Sequence, residues 1–558
     1  MNSCTRKAYI PKPLKAYRGL AGIAFCLLLG ACGGGGNGGG GNPPPPPAPS
    51  AITSVTVAPT QANLEIDLPQ QFTATVTGSG SFSTAVTWHV NNVPGGDSTI
   101  GTISSSGLYR SPLAVPQPPF CTQVANGCQV VVKATSQADQ TKSASATVTI
   151  TAVQQPRLEW VRFVDFGQTM RDYGFGVAVD GNSNIVAAGI KWLRSWSNSG
   201  QPIPDPIAAL VSFDPAGNER WRNDFGATPS LLRSIAREGN QDRFYFTGVT
   251  NPAGSVSLRS AMFGQVNGSG QLLLDPFSKS FQFDANETSG RIVQVSGSLV
   301  YVAVNTATDP RVAILDLSGN MISSFQVGNI PGNNRHGSVT VCDKCTVTGM
   351  YVAADRLWVS GDRFVGGQLV GFYLERFNLL DLDAGASVVS VGGNLFGTRV
   401  IEDSQGGVYL AGTNQNGSDP NGRLFLVEKR DQQGQILWFK SWDGDNPNAN
   451  ASTLALGLTA RPSGGVVVVG QLTELQGVNP KCTTYPNCWD FGILALDSNG
   501  NRLWKLRHDF NSSPWDVPEA VLFDGQGKLV VVGATVPNPT GNDFTDNRDI
   551  LVSKFRVP

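Results

Sequence analysis

Residues 403–412 read DSQGGVYLAG, and residues 423–438 read RLFLVEKRDQQGQILW. In the first stretch, a polar turn leads into a short apolar and aromatic run that ends at a small residue. In the second, two β-type runs flank a polar turn that contains glycine and end on an aromatic residue. Short runs of this kind, bounded by turn residues, are typical of antiparallel strands. The two stretches therefore predict the strands of one small antiparallel sheet.

The same pattern recurs from residue 157 to the end of the chain, at intervals of roughly fifty to sixty residues. The first run occurs seven times: NIVAAG (184–189), RFYFTG (243–248), LVYVAV (299–304), RLWVSG (356–361), GVYLAG (407–412), GVVVVG (465–470) and KLVVVG (528–533). The second run is clearest at 208–221, 311–325, 423–438 and 491–504. Four strands fit in each repeat, which is the size of a propeller blade. Residues 157–558 are therefore predicted to be a β-propeller of about seven blades.

The two ends of this region are complementary. The last repeat stops at residues 549–555 without a final strand, and a strand of the missing type lies before the first repeat, at 159–167. Pairing these two segments would close a ring and remove an open sheet edge. An open β-solenoid is the alternative, and it would not require matching shortfalls at its ends.

The repeats resemble the secreted bacterial beta-propeller repeat families, in which an Asp turn, a run ending in Gly and a Gly turn followed by Trp succeed one another. The resemblance covers about 400 residues. It implies the fold and not an activity, because this fold carries many functions.

Residues 51–153 form a separate β pattern that predicts a sandwich. Its alternating runs are 55–57, 72–76, 86–90, 130–134 and 146–150. The order of motifs, from Val57-Ala-Pro59 through Thr87-Trp88 and Gly101-Thr-Ile103 to the closing strand, resembles the bacterial Ig-like (Big-type) domains of surface proteins. The resemblance implies an Ig-like spacer or adhesive domain, with an insertion at 112–128.

The N-terminus has the features of an export signal. Five basic side chains precede an apolar run at 20–29, which is too short to span a bilayer as a stable helix. The run ends in Leu29-Gly-Ala-Cys32, which resembles the bacterial lipobox. The resemblance implies that 1–31 is a lipoprotein signal peptide and that Cys32 carries the lipid. Gly33 after the cysteine implies the outer membrane, on its periplasmic or surface face. Residues 32–50 would be a lipidated Gly/Pro-rich linker.

Composition limits the partners. The formal net charge is −1, and removal of the five basic residues in 1–31 leaves the mature chain at −6 with no basic run. Such a chain is a poor candidate for binding nucleic acid through its phosphates.

Six of the nine cysteines remain after Cys4 and Cys26 leave with the signal peptide and Cys32 takes the lipid. They form three close pairs: Cys121/Cys128, Cys342/Cys345 and Cys482/Cys488. On a secreted chain this spacing predicts three disulfides. A zinc site that joins Cys342 and Cys345 to another pair is the alternative.

Residues suited to catalysis are scarce. The three histidines are His89, His336 and His508, and no G-x-S-x-G motif accompanies the last two. Acidic residues recur beside Gly or Asn, where their side chains are expected to cap turns: Asp180, Asp214, Asp316, Asp403, Asp497 and Asp524. Residues 443–448 have calcium-like spacing but lack the downstream Glu of an EF-hand loop.

The tryptophans of the second runs resemble those of quinoprotein blades. The adjacent-cysteine feature of several quinoproteins is absent, and packing between blades is the simpler interpretation. We therefore predict no catalytic, cofactor or metal site. The long loops at 191–207, 414–422, 471–489 and 534–548 should share one face, where a protein or glycan ligand would bind. The alternative is an envelope enzyme, acting on a polysaccharide as hydrolase or lyase or working as a quinoprotein, in the propeller funnel.

Overall fold

The computed structural model describes the chain from Ser50 onward with gaps. The described residues are 50–66, 68–112, 114–125, 127–153, 155–166, 172–191, 206–225, 229–239, 241–251, 259–284, 288–307, 309–328, 344–353, 355–392, 395–415, 423–442, 453–473, 489–510, 515–536 and 548–558. Their regular secondary structure consists of β-strands and one short 3₁₀ turn at Leu382–Ala384. Within these ranges, no helix has the length and apolar character needed to cross a bilayer.

The first unit contains twelve strands in three sheets. The strands are β1 (Ala51–Ala58), β2 (Gln61–Glu65), β3 (Pro69–Gln71), β4 (Thr73–Ser79), β5 (Val86–Val90), β6 (Val93–Pro94), β7 (Gly96–Asp97), β8 (Gly101–Ile103), β9 (Leu108–Arg110), β10 (Thr122–Val124), β11 (Gly127–Ser136) and β12 (Ser143–Thr151). The largest sheet has the order β2-β12-β11-β5-β6, with β10 paired to β11. Its inward side chains, with Phe72, Trp88 and Tyr109, form one apolar core, as the alternating sequence predicts.

The second unit is a series of four-stranded antiparallel sheets, numbered here 1 to 7. Sheet 7 begins with the N-terminal strand of the unit, β13 (Arg157–Val164). Sheet 1 is β14 (Tyr173–Val179), β15 (Ile185–Lys191), β16 (Ile207–Phe213) and β17 (Glu219–Asp224). Sheet 2 is β18 (Ser230–Arg237), β19 (Arg243–Thr250), β20 (Ser260–Asn267) and β21 (Leu272–Leu274). Sheet 3 is β22 (Thr288–Ser296), β23 (Leu299–Thr306), β24 (Arg311–Asp316) and β25 (Met321–Gln326).

The remaining sheets repeat this order. Sheet 4 is β26 (Lys344–Val352), β27 (Arg356–Val365), β28 (Gln368–Asn378) and β29 (Ala386–Gly392). Sheet 5 is β30 (Leu395–Glu402), β31 (Val408–Gln415), β32 (Arg423–Arg430) and β33 (Ile436–Trp442). Sheet 6 is β34 (Thr453–Ala460), β35 (Val466–Thr473), β36 (Trp489–Leu496) and β37 (Arg502–His508). Sheet 7 is completed by β38 (Asp516–Phe523), β39 (Leu529–Thr535) and β40 (Asp549–Arg556). The repeated sheets give this unit a β-propeller fold.

Sheet 7 combines the two ends of the unit. β13 pairs antiparallel with β40, from Arg157 opposite Arg556 to Val164 opposite Ile550. The first strands of successive sheets contact one another along the series, and β14 of sheet 1 also contacts β38 and β39 of sheet 7. Apolar side chains fill the space between sheets 7 and 1, where Val532 and Ile550 pack with Ile185 and Phe213.

The two units touch beside the joined ends. A guanidinium nitrogen of Arg157 lies 3.2 Å from a carboxylate oxygen of Glu65. Arg556 donates to the carbonyl of Ile66 at 2.6 Å and also contacts Glu159, with a nitrogen–oxygen distance of 3.2 Å. The strand β40 therefore contributes both to sheet 7 and to the contact with the first unit.

Candidate functional site

In each sheet the strand ends form two opposite edges, and the connections between strands differ at these two edges. The second strand ends, and the third begins, at one edge, which we call the loop-bearing edge. There the connections between described strands include 192–206, 416–422, 474–488 and 536–548. Because neighbouring strands are antiparallel, the first strand of each sheet also begins at this edge. Most residues of the predicted ligand-binding loops lie outside the described residues, so their role stays a prediction.

The opposite edge carries tight turns capped by Asp, as predicted. In the turn after β16, Oδ1 of Asp214 accepts hydrogen bonds from the backbone N–H of Ala216 (2.9 Å) and Asn218 (2.8 Å). Asp180, Asp316, Asp403, Asp497 and Asp524 accept equivalent pairs. These carboxylates satisfy backbone donors that the turn leaves without a strand partner.

Each first strand has a register shift near the loop-bearing edge. In six sheets it falls at a single residue: Phe175, Arg233, Arg291, Thr348, Leu456 and Glu519. In sheet 5 it spans Gly397 and Thr398, directly before Arg399. A β-bulge redirects a side chain, and bulges are common at rims and active sites. The bulges thus place a set of charged, polar and apolar residues at equivalent positions of the seven sheets.

Four residues from different sheets form what we call the axial cluster: Tyr173, Arg233, Arg399 and Glu519. The hydroxyl of Tyr173 donates to Oε1 of Glu519 at 2.8 Å. Burial raises the pKa of Glu519, while the Tyr173 hydrogen bond and the charges of Arg399 and Arg233 partly offset the increase. Arg233, Arg399 and Glu519 belong to sheets 2, 5 and 7, which do not follow one another in the chain. Their interaction indicates that these first strands face a common space.

Aromatic rings line the cluster on the side of sheets 1 and 7. Tyr173 stacks on Phe175 with ring centroids 4.6 Å apart, and Trp515 meets Tyr173 edge-on at 5.8 Å. The guanidinium of Arg233 lies 5.2 Å from the centre of the Phe175 ring. Cation–π contact of this kind helps to hold an arginine in place while leaving donors available.

A cavity of about 170 Å³ opens beside the cluster, between sheets 2 and 3. Its lining includes Arg233, Arg259, Arg291, Asn251 and Ser289. Burial lowers the pKa of Arg233, and the neighbouring charges of Arg399 and Arg259 lower it further, against the opposing effect of Glu519. The cavity is therefore a region of concentrated positive charge on a chain whose overall charge is close to neutral.

Glu375 and the three histidines are not part of the axial cluster. Glu375 is buried on β28, where burial raises its pKa to about 7 and the N–H of Gly328 donates to it at 2.8 Å. His508 packs edge-on against Phe510 at 4.4 Å, and burial lowers its pKa. His89 lies on β5 of the first unit, and His336 lies outside the described residues. Within the described ranges, no group of three or more His, Cys, Asp or Glu could hold a metal ion.

One of the three predicted cysteine pairs lies entirely within the described residues. Cys121 and Cys128 form a disulfide with Cα atoms 5.7 Å apart, so this pairing is confirmed. Cys345 is buried at the start of β26. Cys342, Cys482 and Cys488 lie outside the described residues, as do Cys32, the signal peptide and residues 443–448. Those assignments stay predictions.

The tryptophans of the second runs mostly pack as predicted. The indole N–H of Trp221 in sheet 1 donates to the Gly268 carbonyl of sheet 2 at 2.8 Å, and that of Trp438 in sheet 5 donates to the Ser498 carbonyl of sheet 6 at 3.1 Å. Trp160 of β13 makes the same contact with the Pro215 carbonyl of sheet 1, at 3.1 Å.

The axial cluster was not predicted from the sequence. A signal was present, because each bulge lies about twelve to fifteen positions before the glycine or alanine at or next to the end of the following run. At this position Arg233, Arg291 and Glu519 interrupt otherwise apolar or small residues. The bulge itself, which decides where these side chains point, left no motif in the sequence.

Comparison with known proteins gives fold similarity only. No family model matches the chain, and no curated protein matches it. Among solved structures, the Dos1 propeller is 10% identical, with a TM-score of 0.38, and the alignment covers 72% of this chain and 94% of that one. The polysaccharide lyase Uly1 is 10% identical, with a TM-score of 0.40 and coverages of 71% and 94%. A protein of unknown function from Dyadobacter fermentans is 11% identical, with a TM-score of 0.39 and coverages of 73% and 100%.

Proposed function

We propose that this protein is a lipid-anchored envelope protein in which an Ig-like domain carries a closed seven-bladed propeller that binds a ligand at its loop-bearing face. The ring is supported by a repeated contact. The Trp-to-carbonyl hydrogen bond that joins sheet 1 to sheet 2, and sheet 5 to sheet 6, also joins sheet 7 to sheet 1 through Trp160. The β13–β40 pairing provides the fourth strand of the last blade.

The Ig-like assignment is supported by the core and the strand order of the first unit. Trp88 on β5 is buried against Phe72 and the strands β11 and β12. The disulfide between Cys121 and Cys128 ties β10 to the start of β11. A domain of this kind, set after the linker at 32–50, would hold the propeller away from the membrane.

The anchor rests on the sequence at 29–32 alone, so it has its own test. Metabolic labelling with an alkyne fatty acid should mark the wild-type protein and should not mark Cys32→Ala. Equal labelling of both would remove the lipid from this proposal and leave the propeller unaffected.

Binding is carried by one observation: charged and aromatic side chains of sheets 1, 2, 5 and 7 converge at the loop-bearing end of the first strands. Rigid strands hold these groups, which favours recognition because little side-chain entropy is lost when a ligand arrives. Arginine donors and aromatic faces are groups that bind polar ligands strongly.

The experiment is capture followed by product analysis. The chain from Gly33 onward should retain one or more ligands from a glycan array or an envelope extract, and the ligand should be recovered chemically unchanged. Arg399→Gln should weaken capture, whereas Arg502→Gln, at an exposed position of β37, should not. Equal capture by all three proteins would contradict binding at the cluster.

A second candidate is an enzyme that acts on a polysaccharide in the same space. It is favoured by the 2.8 Å hydrogen bond between Tyr173 and Glu519, together with the pKa of Glu519, which burial raises, since a carboxyl group that keeps its proton to higher pH is better suited to act as a general acid. Depletion of a captured glycan by the purified protein, lost in Glu519→Gln, would establish the enzyme. Recovery of intact glycan would establish binding.

A further inference from the structure

The cavity between sheets 2 and 3 has lining residues that recognise negative charge. Three arginines contribute to it from separate segments: Arg233 lies on β18, Arg291 lies on β22, and Arg259 directly precedes β20. Guanidinium groups present planar sets of donors that match carboxylate, sulfate and phosphate oxygens. A volume of about 170 Å³ far exceeds the ~10–15 Å³ that one water molecule needs. A charged substituent of a ligand would therefore fit.

The walls of the cavity are fixed by backbone hydrogen bonds. Ser230 N–H donates to the Pro206 carbonyl at 2.8 Å, and Asn251 N–H donates to the Pro229 carbonyl at 3.1 Å. Thr288 N–H donates to the carbonyl of Arg259 at 2.8 Å, which ties the segment before β20 to the start of β22. The arginines are therefore held on a preorganised frame, and a ligand would not have to assemble it.

Charge balance around the cavity also favours an anion. Nε of Arg233 is buried and has no hydrogen-bond partner among the described residues. Carboxylates near the arginines include Glu519, which accepts from Tyr173, and Asp362, which accepts from Gly397 N–H at 2.7 Å and interacts electrostatically with Arg399 and Arg291. The positive charges of Arg399 and Arg259 act unfavourably on the buried guanidinium of Arg233, and a bound oxyanion would offset this effect.

We propose that this cavity is a subsite for the carboxylate group of an acidic saccharide. A saccharide is favoured over an isolated inorganic ion because the lining also carries uncharged polar side chains and because aromatic rings that line the axial cluster lie next to Arg233. The hydroxyl of Ser289 and the amide of Asn251 in the lining can bond to sugar hydroxyl groups. This inference rests on the proposed function and specifies its ligand class.

Calorimetry on the chain from Gly33 onward tests it, with a galacturonate oligomer, the matched neutral galactose oligomer and inorganic sulfate as probes. The galacturonate oligomer should bind, more weakly as salt is raised. Arg233→Gln and Arg291→Gln should each weaken binding by about ten- to a hundredfold, the usual effect of losing a hydrogen bond to a charged group. Arg233→Lys should retain part of the affinity, and Arg502→Gln should retain all of it. Melting temperatures should show that every variant is folded.

Three results would overturn the subsite: equal binding of the galacturonate and galactose oligomers, no effect of the two Gln substitutions, or binding of sulfate without binding of the galacturonate oligomer. The broader proposal would survive any of these if the glycan array or the envelope extract yielded a different ligand whose capture required Arg399.

Discussion

At the scale of single residues, the balance between burial and hydrogen bonding determines the direction in which the pKa of an acidic side chain is shifted. Asp214 lies in the turn after β16, and Glu375 lies on β28. Hydrogen bonds to Asn218 and backbone amides outweigh desolvation and lower the pKa of Asp214. Burial on β28 raises the pKa of Glu375 to about 7, although one backbone N–H opposes the increase. The second group therefore makes folding depend on pH near neutrality.

Glu375→Gln should remove this dependence. Since the folded state holds the proton more tightly than the unfolded state, stability falls as the pH rises from about 4.5 to about 7 and is level above that range. The shift corresponds to at most about 3 kcal/mol of unfolding free energy. Urea unfolding at a series of pH values should show that the variant lacks most of this decline.

Glu402→Gln provides the matched control with the opposite sign. Burial alone would raise the pKa of Glu402, but hydrogen bonds from Arg356 and Trp358 outweigh it and lower the pKa. Its stabilisation is present above the ordinary Glu pKa and is lost as the pH falls through the lowered value. A wild-type profile that is flat between pH 4.5 and 7 would contradict the role assigned to Glu375.

At the scale of elements, the Asp turns explain why the repeats are recognisable. One carboxylate accepts hydrogen bonds from two backbone amides. In the turn after β16, the glycine that follows the Asp packs against the tryptophan ring of the preceding sheet. A Cβ on Gly217 would lie 2.7 Å from the Trp160 ring, and Gly217 has a φ of +84°. Both features exclude larger residues, so the Asp, Gly and Trp positions recur together.

Asp403→Ala tests the turn at a buried site. Oδ1 of Asp403 accepts from the N–H groups of Gln405 and Gly407, and Oδ2 accepts from the Tyr409 hydroxyl at 2.9 Å. Loss of the carboxylate leaves a buried hydroxyl and two amides without these acceptors, so we expect the unfolding free energy to fall by about 2–3 kcal/mol.

The equivalent turn of the third strand in the same sheet is the control. Asp431 caps Gln433 and Gln435 in a more exposed position, and Asp431→Ala should cost about 1 kcal/mol or less. Asp403→Asn, which keeps an acceptor oxygen, should recover most of the loss. Equal effects of the two alanine substitutions in chemical denaturation would show that burial of the cap is unimportant.

The strands and turns could be predicted because they are local. All but the first residue of the run at 184–189 lies in β15, and all but the first residue of the run at 465–470 lies in β35. The Gly-turn motif marks the third and fourth strands of sheets 1, 3, 5 and 6. The motif is weaker in sheet 2, and sheet 4 replaces it with a longer connection through Leu382–Ala384. The axial cluster could not be predicted in the same way, because it depends on bulges and on contacts between sheets distant in the chain.

At the scale of the whole molecule, several contacts join the ends of the propeller. Lys554 on β40 is fully buried, and its ammonium group lies 2.7 Å from Asp524 of the same sheet. It also lies 3.3 Å from the Pro215 carbonyl of sheet 1, beside the Trp160 contact. If the two sheets separated, the buried ammonium group would lose its contact with the Pro215 carbonyl. The loss would be strongly destabilising, because a buried charge requires polar partners.

Replacing residues 157–166 with a Gly/Ser segment of equal length tests whether the proposed ring depends on β13. The substitution removes the partner of β40 and the Trp160 contact while it preserves the chain between the two units. We expect an exposed edge strand, aggregation at the concentrations used for purification and loss of a single cooperative transition for the propeller. Light scattering and calorimetry measure these effects. The same replacement at 33–42, within the linker, should leave both unchanged. A protein that lacks β13 yet melts as one cooperative unit at the wild-type temperature would show that the seven sheets hold together without this closure.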